Sequence, residues 1–310
     1  MNRIGGYEPL TEMKTVGSGS ARWCIARRED QRFFLKEFLS PVHPPQGKDT
    51  PLARKQLARC QAFERRKRRL YAALSCVIGE TLVPVLDFFR HEGRYYAVSE
   101  EVPWPHISGE DAAGLSMRET RLLLHDLAEC LRRLHTQGII HADLKPEHLL
   151  LTGKPGRYRL RLIDLDSGFL EEEPPGRGEN LEGDPVYLSP EVFLRLTGEE
   201  EPLTTRLDTF AMGMLIHRLW AGELPAFDTA RYAYLYEAVL AGGEVRLSPK
   251  LPLAYRIPVQ RMLRKDPAQR PPDEEIVALL SGPWQEAGPI GIQEEREEPL
   301  NGLSRYFKRK

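Results

Sequence analysis

Cysteine is scarce, and the four present (Cys24, Cys60, Cys76 and Cys130) form no C-x-x-C pair and no metal-ligand spacing. A disulfide framework or a structural zinc site therefore has no support, and the expectation is buried, reduced thiols. Long apolar runs are missing too, with none near the roughly 20 residues that span a bilayer. The opening residues, MNRIGGYEPL, lack the apolar stretch of a secretory leader. Charge of one sign is also lacking: the net charge is −1, so no global field draws the chain to nucleic acid or to a membrane surface. There is no internal repeat and no low-complexity tract. These absences point to a cytoplasmic protein with neither nucleic acid nor membrane as a partner.

What remains is an ordinary soluble composition, 41% hydrophobic and 29% charged, in 310 residues. That length suits two lobes rather than one simple core. The first hundred residues read as strand-rich. Phe33, Phe34 and Leu35 form an apolar run ending at Lys36, and residues 82–89 and 95–101 flank a hairpin-like His91-Glu92-Gly93 turn. Between them residues 52–74 read as a helix carrying Arg54, Lys55, Arg59, Arg65, Arg66, Lys67, Arg68 and Arg69, after a Pro-rich extended segment, 41–49. The run VPWPHISGED, starting at Val102, suits a hinge. Beyond it, Leu123, Leu127, Leu131 and Leu134 share a helical face, and Gly138 is placed to end that helix. Short strands are expected at 149–151 and 159–163, then helices broken by proline loops, with Phe210, Met214 and Leu215 on a buried one. The expected division is 1–101, 102–284 and a polar tail, 285–310. In that tail Leu300, Leu303 and Phe307 fall on one face of a short helix, which reads either as a docking element or as a disordered end.

Chemistry concentrates in IIHADLKPEHLLL, from Ile139 to Leu151, followed by RLIDLDSG, from Arg161 to Gly168. Two aspartates, one on a loop and one ending a strand, are what phosphoryl transfer asks for: one orients an acceptor hydroxyl and the other holds Mg²⁺ against a triphosphate. These stretches resemble the catalytic loop H-R-D-x-K-P-x-N and the D-F-G of the protein kinases. The resemblance continues in order along the chain. VGSGSARWC (Val16 to Cys24) is similar to the Gly-rich turn, FFLK supplies Lys36, AVSEEV (Ala97 to Val102) is similar to the hinge, and GDPVYLSPE ends in Ser189-Pro190-Glu191 where the family has A-P-E. LDTFAMG carries Asp208, and KDPAQRP carries Arg270.

The resemblance implies an α+β, bilobal protein kinase fold with a small β-rich N-lobe and a larger helical C-lobe, of a divergent, eukaryotic-like serine/threonine type such as bacteria carry. It implies ATP and Mg²⁺ as cofactors, with Mn²⁺ as an alternative ion, and a protein substrate. Asp143 and Lys145 would be catalytic. Gly17 and Gly19 would cover the phosphates, Lys36 would contact them, and the backbones of Glu100 and Val102 would bond adenine beside a small gatekeeper, Ser99. Asp164 would hold the metal, Asp208 would support the catalytic loop, and Arg270 would pair with Glu191.

The departures carry as much information. Ala142 replaces the arginine that receives a phosphorylated activation segment in many family members, and residues 164–191 hold no threonine, only Ser167, Tyr187 and Ser189. Activity independent of such phosphorylation is expected. The acidic run of that segment is a solvated loop, a site for basic substrates or a built-in substitute for phosphate. His148 stands where the family has a metal-binding asparagine, and Asp166 where it has the D-F-G glycine; Asp166 either supplies a replacement metal ligand or only shapes the turn. Asp184 replaces a threonine and would pair with Lys145 while repelling Asp143. As the helix carboxylate for Lys36 we assign Glu64, with Lys67 as the residue that apolar matching puts at that position instead. The basic helix, 54–69, is a solvated face or a dock for an acidic partner. Glu147 matches a position that reads basic residues in substrates, although Arg218 stands at a second such position. Two other functions compete with the kinase: a nucleotide-binding interaction module without activity, and a small-molecule kinase.

Overall fold

Ala21, Cys24 and Ala26 on one strand and Phe33, Leu35 and Phe38 on the next are buried, so two neighbouring runs share a covered face. They form an antiparallel hairpin, β3 (Ala21–Arg28) with β4 (Gln31–Phe38). The computed structural model describes residues 3–15, 19–45, 47, 49–77, 79–102, 106–109, 114–176 and 183–282. Two short strands, β1 (Glu8–Pro9) and β2 (Lys14–Thr15), flank β3; β5 (Val85–His91) and β6 (Arg94–Glu100) complete the sheet in the order β1-β3-β4-β6-β5. Glu92 and Gly93 both take positive φ, 47° and 79°, the backbone that a tight two-residue hairpin turn requires.

Helix α1 (Pro51–Leu74) packs beneath this sheet. Thr50 starts it by accepting the Ala53 N–H at 3.1 Å, and Pro51 occupies the first turn, where its missing N–H is not needed. The interface is aromatic: Phe63 of α1 meets Phe38 at 5.3 Å and Tyr95 at 5.2 Å, and Tyr71 meets Phe88 at 5.5 Å.

The rest of the chain is largely helical. After β7 (His106–Ser108), the Ser116–Glu119 capping box opens α2 (Met117–Thr136), whose Leu124, Leu127, Leu131 and Leu134 form the spine of the larger core. Gly138, at φ 65°, turns the chain out of that helix into β8 (Ile139–Ile140). Then come β9 (Leu149–Thr152), β10 (Arg159–Leu162) and β11 (Phe169–Leu170), with β9 between β10 and β7, and β11 on β8. The helices α3 (Pro190–Leu196), α4 (Arg206–Ala221), α5 (Leu235–Leu240), α6 (Leu253–Met262) and α7 (Asp273–Ser281) follow. Residues 207–217 of α4 are all buried, so it is a central helix rather than an amphipathic one. The expected mix of a β-rich N-terminal region and a helical C-terminal region is present. The tail, 285–310, lies outside the described residues.

Candidate active site

The loop between β8 and β9 carries His141 to His148, and α4 holds it from below. Asp208, fully buried, accepts the N–H of His141 at 2.7 Å and of Ala142 at 2.9 Å, and a third bond comes from His135 Nε2 at 3.0 Å. Ala142 sits at φ 64°, a left-handed conformation that costs a non-glycine residue about 1 kcal/mol or more. The bond from Asp208 to its N–H helps to offset that cost, and the turn aims the next side chain, Asp143, into the cleft. Asp143 is bonded on both carboxylate oxygens: Oδ1 accepts the Asp184 N–H at 2.9 Å, and Oδ2 lies 3.1 Å from Lys145 Nζ. The expected pairing of Asp184 with Lys145 is not formed: Asp184 Oδ1 turns back to accept the Val186 N–H at 2.9 Å, and its own N–H serves Asp143.

His148 follows in the short Pro146–His148 turn. Its Nδ1 lies 2.7 Å from the Asp143 carbonyl, and a carbonyl only accepts, so the proton sits on Nδ1. Nε2 is left facing Asp164 Oδ2 at 3.6 Å. Asp164, two residues past the end of β10, sits at φ 65°, a second non-glycine left-handed residue in this cleft.

Lys36 reaches this point from β4. Its ammonium lies 2.8 Å from Asp164 Oδ2 and 2.5 Å from Asp166 Oδ2, on a side chain only 10% exposed. Burial disfavours its charge, but the Asp166 and Asp164 carboxylates outweigh that and hold Lys36 above the usual lysine range. Burial likewise disfavours an ionised Asp164, while Lys36 and His148 hold it well below the usual carboxylate range.

The assignment of Glu64 to Lys36 is corrected by this geometry. Glu64 lies at the edge of the interface between α1 and the sheet, where it accepts from Arg68 at 2.9 Å and from the Tyr95 hydroxyl at 3.4 Å, and it makes no pair with Lys36. Lys67 takes the inward position instead, 7% exposed, with Nζ 2.5 Å from the Asp166 carbonyl. The reason is the aromatic cradle: Phe38, Phe63 and Tyr71 surround the Lys67 ammonium at 5.3, 5.9 and 5.8 Å. Tyr71, whose buried hydroxyl has no hydrogen-bond partner among the described residues, is pushed above its ordinary pKa by burial and by the same two carboxylates.

Gly17 falls outside the described residues. Gly19 is described, at φ 71°, with open space where a Cβ would stand. At the opposite edge of the cleft, Glu100 ends β6 and its carboxylate pairs with Arg161 of β10; Val102 follows, half-buried. Arg270 makes a two-pronged buried ion pair with Glu191, at 2.6 and 2.8 Å, that fastens the end of the activation segment to the loop before α7.

Among the described residues no group of three or more His, Cys, Asp and Glu side chains forms a ready-made cation cage. The Asp164 and Asp166 carboxylates nevertheless converge on one cationic point, the Lys36 ammonium, and oxygen donors of this kind suit a hard divalent ion. The donor set fits Mg²⁺ at Asp164, with the His148 imidazole beside it as a donor better suited to softer ions.

A family profile described as the protein kinase domain matches residues 46–284, which leaves the β3–β4 hairpin and Lys36 ahead of the matched segment. The serine/threonine-protein kinase ULK3 of Mus musculus is 32% identical over 161 residues, covering 50% of this chain and 32% of that protein. ULK3 of Rattus norvegicus is 30% identical over 175 residues, 55% of this chain and 34% of that protein. The delta subunit of calcium/calmodulin-dependent protein kinase type II of Oryctolagus cuniculus is 26% identical over 236 residues, 74% of this chain and 42% of that protein. The chain thus spans less than half the length of these curated relatives.

Proposed function

The chain belongs to the protein kinase family, and from that premise we propose that it is an ATP-dependent kinase transferring the γ-phosphoryl group to serine or threonine hydroxyls of proteins. The observation that carries the reading is the convergence of Lys36, Asp143, Lys145 and Asp164 from three separate segments of the chain into one cleft. Asp143 orients the acceptor hydroxyl and takes its proton; its second oxygen is already engaged by Lys145, which steadies the phosphoryl group in transit. Lys36 would contact the α- and β-phosphates, Gly17 and Gly19 are assigned to cover them, and the backbones of Glu100 and Val102 would bond the adenine edge. Asp164 and His148 would hold the divalent ion, Mg²⁺ or Mn²⁺, whose chemistry when bound is to neutralise charge on the phosphate oxygens. We divide the lobes at 101/102, with 285–310 as a tail beyond the kinase domain.

Two finer readings concern partners. Exposed Glu147, beside Lys145, supports a preference for basic substrates. On α1, Lys67 is buried and Arg54, Arg68 and Arg69 are engaged in ion pairs, whereas Lys55, Arg59 and Arg65 face solvent, which supports a dock for an acidic partner. No helix of the described residues is long and apolar enough to cross a membrane; a cytoplasmic location fits the ATP supply that the proposed reaction needs. The test is incubation with labelled ATP, with and without a generic basic protein, in Mg²⁺ and in Mn²⁺. Label on protein that is lost in Asp143→Asn is the expected result. Nucleotide binding without any transfer would make the chain a binding module instead.

A further inference from the structure

In the family pattern the cleft lysine is paired by a helix carboxylate. Here α1 presents a lysine at that place, and the carboxylates come from the D-L-D segment. Asp166 approaches Lys36 at 2.5 Å, closer than Asp164 at 2.8 Å, and Lys67 reaches over Asp166 to bond its carbonyl oxygen at 2.5 Å. The two positions have exchanged charge: a cation on the helix, and an anion where the family has glycine.

We infer that Asp166 is the anionic partner that sets the position of Lys36, and that Lys67 is the positioning residue that makes this exchange work. The inference rests on the kinase reading above and deepens it. Its physical case has three parts. A second carboxylate beside Asp164 in a buried cleft would be strongly unfavourable against a helix glutamate, because three anions would then share one ammonium. A lysine at 67 removes that third anion and adds a cation beside Asp166. Its ammonium is kept by the faces of Phe38, Phe63 and Tyr71, so its charge tolerates burial. Finally, the bond to the Asp166 carbonyl fixes the backbone that follows Asp164, and so the direction in which both carboxylates point.

The same helix holds the chain further on. Arg69 bonds Glu172 at 2.5 Å and Glu173 at 2.7 Å, while the Glu171 N–H bonds the Gly138 carbonyl at 2.8 Å. The segment from Asp164 to Glu173 is thereby tied to α1 on one side and to the catalytic-loop strand β8 on the other. Exposed pairs such as those of Arg69 contribute little individually, so the buried Lys67–Asp166 contact is the one that decides position.

The test is a charge-exchange cycle. Asp166→Gly and Lys67→Glu are each expected to lower kcat on the order of 10²-fold, since the cleft lysine loses its anchor in one and gains a repelling anion nearby in the other. The double variant, Lys67→Glu with Asp166→Gly, restores a helix carboxylate and removes the competing one, and is expected to recover activity to within about tenfold of the parent. Lys67→Met keeps the aromatic packing but loses both the charge and the bond to the Asp166 carbonyl, and should lower kcat with little change in melting temperature; Lys67→Arg should retain most of the rate. Nucleotide affinity, measured with a fluorescent ATP analogue in Mg²⁺, follows the same cycle. That readout keeps the test independent of transfer: a parent protein that binds but does not phosphorylate overturns the catalytic reading and leaves the cycle measurable. A double variant no better than the worse single variant in both readouts, or full kcat and affinity in Lys67→Met, would overturn the inference.

Discussion

Asp143 has its two carboxylate oxygens in different company, the Asp184 N–H at 2.9 Å and Lys145 at 3.1 Å. Neither partner is the nucleotide, so removing the Asp143 charge should spare ATP binding and act on the transition state. Asp143→Asn is expected to lower phosphorylation by on the order of 10²-fold or more while nucleotide affinity changes little. Asp164→Asn should behave differently, because Asp164 is the carboxylate we propose as the metal ligand, and Lys36 above all holds it ionised. Its Mg²⁺-dependent nucleotide affinity should fall together with the rate. Calorimetry with ADP in the presence and absence of Mg²⁺ separates the two, and identical behaviour of the two variants would remove the distinction of roles drawn here.

Helix α1 shows both what the chain makes legible and what it hides. The helix expected over 52–74 is present and begins one residue earlier, at Pro51 after the Thr50 cap, and it runs to Leu74. The motif order also located the catalytic loop, Asp208 beneath it and the Arg270–Glu191 pair. The side of α1 that turns inward was not readable. Glu64 and Lys67 are three residues apart and share a face, so periodicity alone cannot choose between them. The choice is made by Phe38 on β4, by Phe63 and Tyr71 on α1 itself, and by the Asp166 carbonyl, 99 positions further along the chain. The strands β1, β2, β8 and β11 are two residues each, too short to carry an alternation. At this scale the activation segment makes a prediction as well. Tyr187 is 8% exposed and Ser189 2% exposed, and Ala142 offers no cation to a phosphate. Phosphatase-treated protein should therefore phosphorylate substrate at the rate of untreated protein. A large loss, mapped by mass spectrometry to Ser167 or Tyr187, would contradict this.

Across the whole molecule, two buried charge clusters join the helices of the C-terminal region. In the first, Arg270 and Glu191 are 3% and 2% exposed, and removing one partner leaves an unpaired charge in the core. Arg270→Leu should cost about 3–5 kcal/mol, read as a drop in urea midpoint. In the second, His135 of α2 lies 3.0 Å from Asp208 on α4 and 2.9 Å from Asp273 on α7, so one imidazole links three helices and the support of the catalytic loop. Burial alone would make this histidine neutral, but the hydrogen bonds and charges of Asp208 and Asp273 prevail and raise its pKa from 6.5 to about 9. The folded state therefore holds a proton that the unfolded chain releases near 6.5. The contribution is complete below about pH 6.5, declines as pH rises, and is gone above about 9; its full size is on the order of 3 kcal/mol at about 1.4 kcal/mol per tenfold in proton affinity. Thermal unfolding followed by circular dichroism should show a melting temperature that falls steadily between pH 6.5 and 9.5. In His135→Asn the protein should be less stable at neutral pH and should lose most of that slope, because no proton remains to be released at this position. A parent protein whose melting temperature is flat across that interval would show that His135 is neutral in the fold, and that Asp208 holds the catalytic loop without a cation beside it.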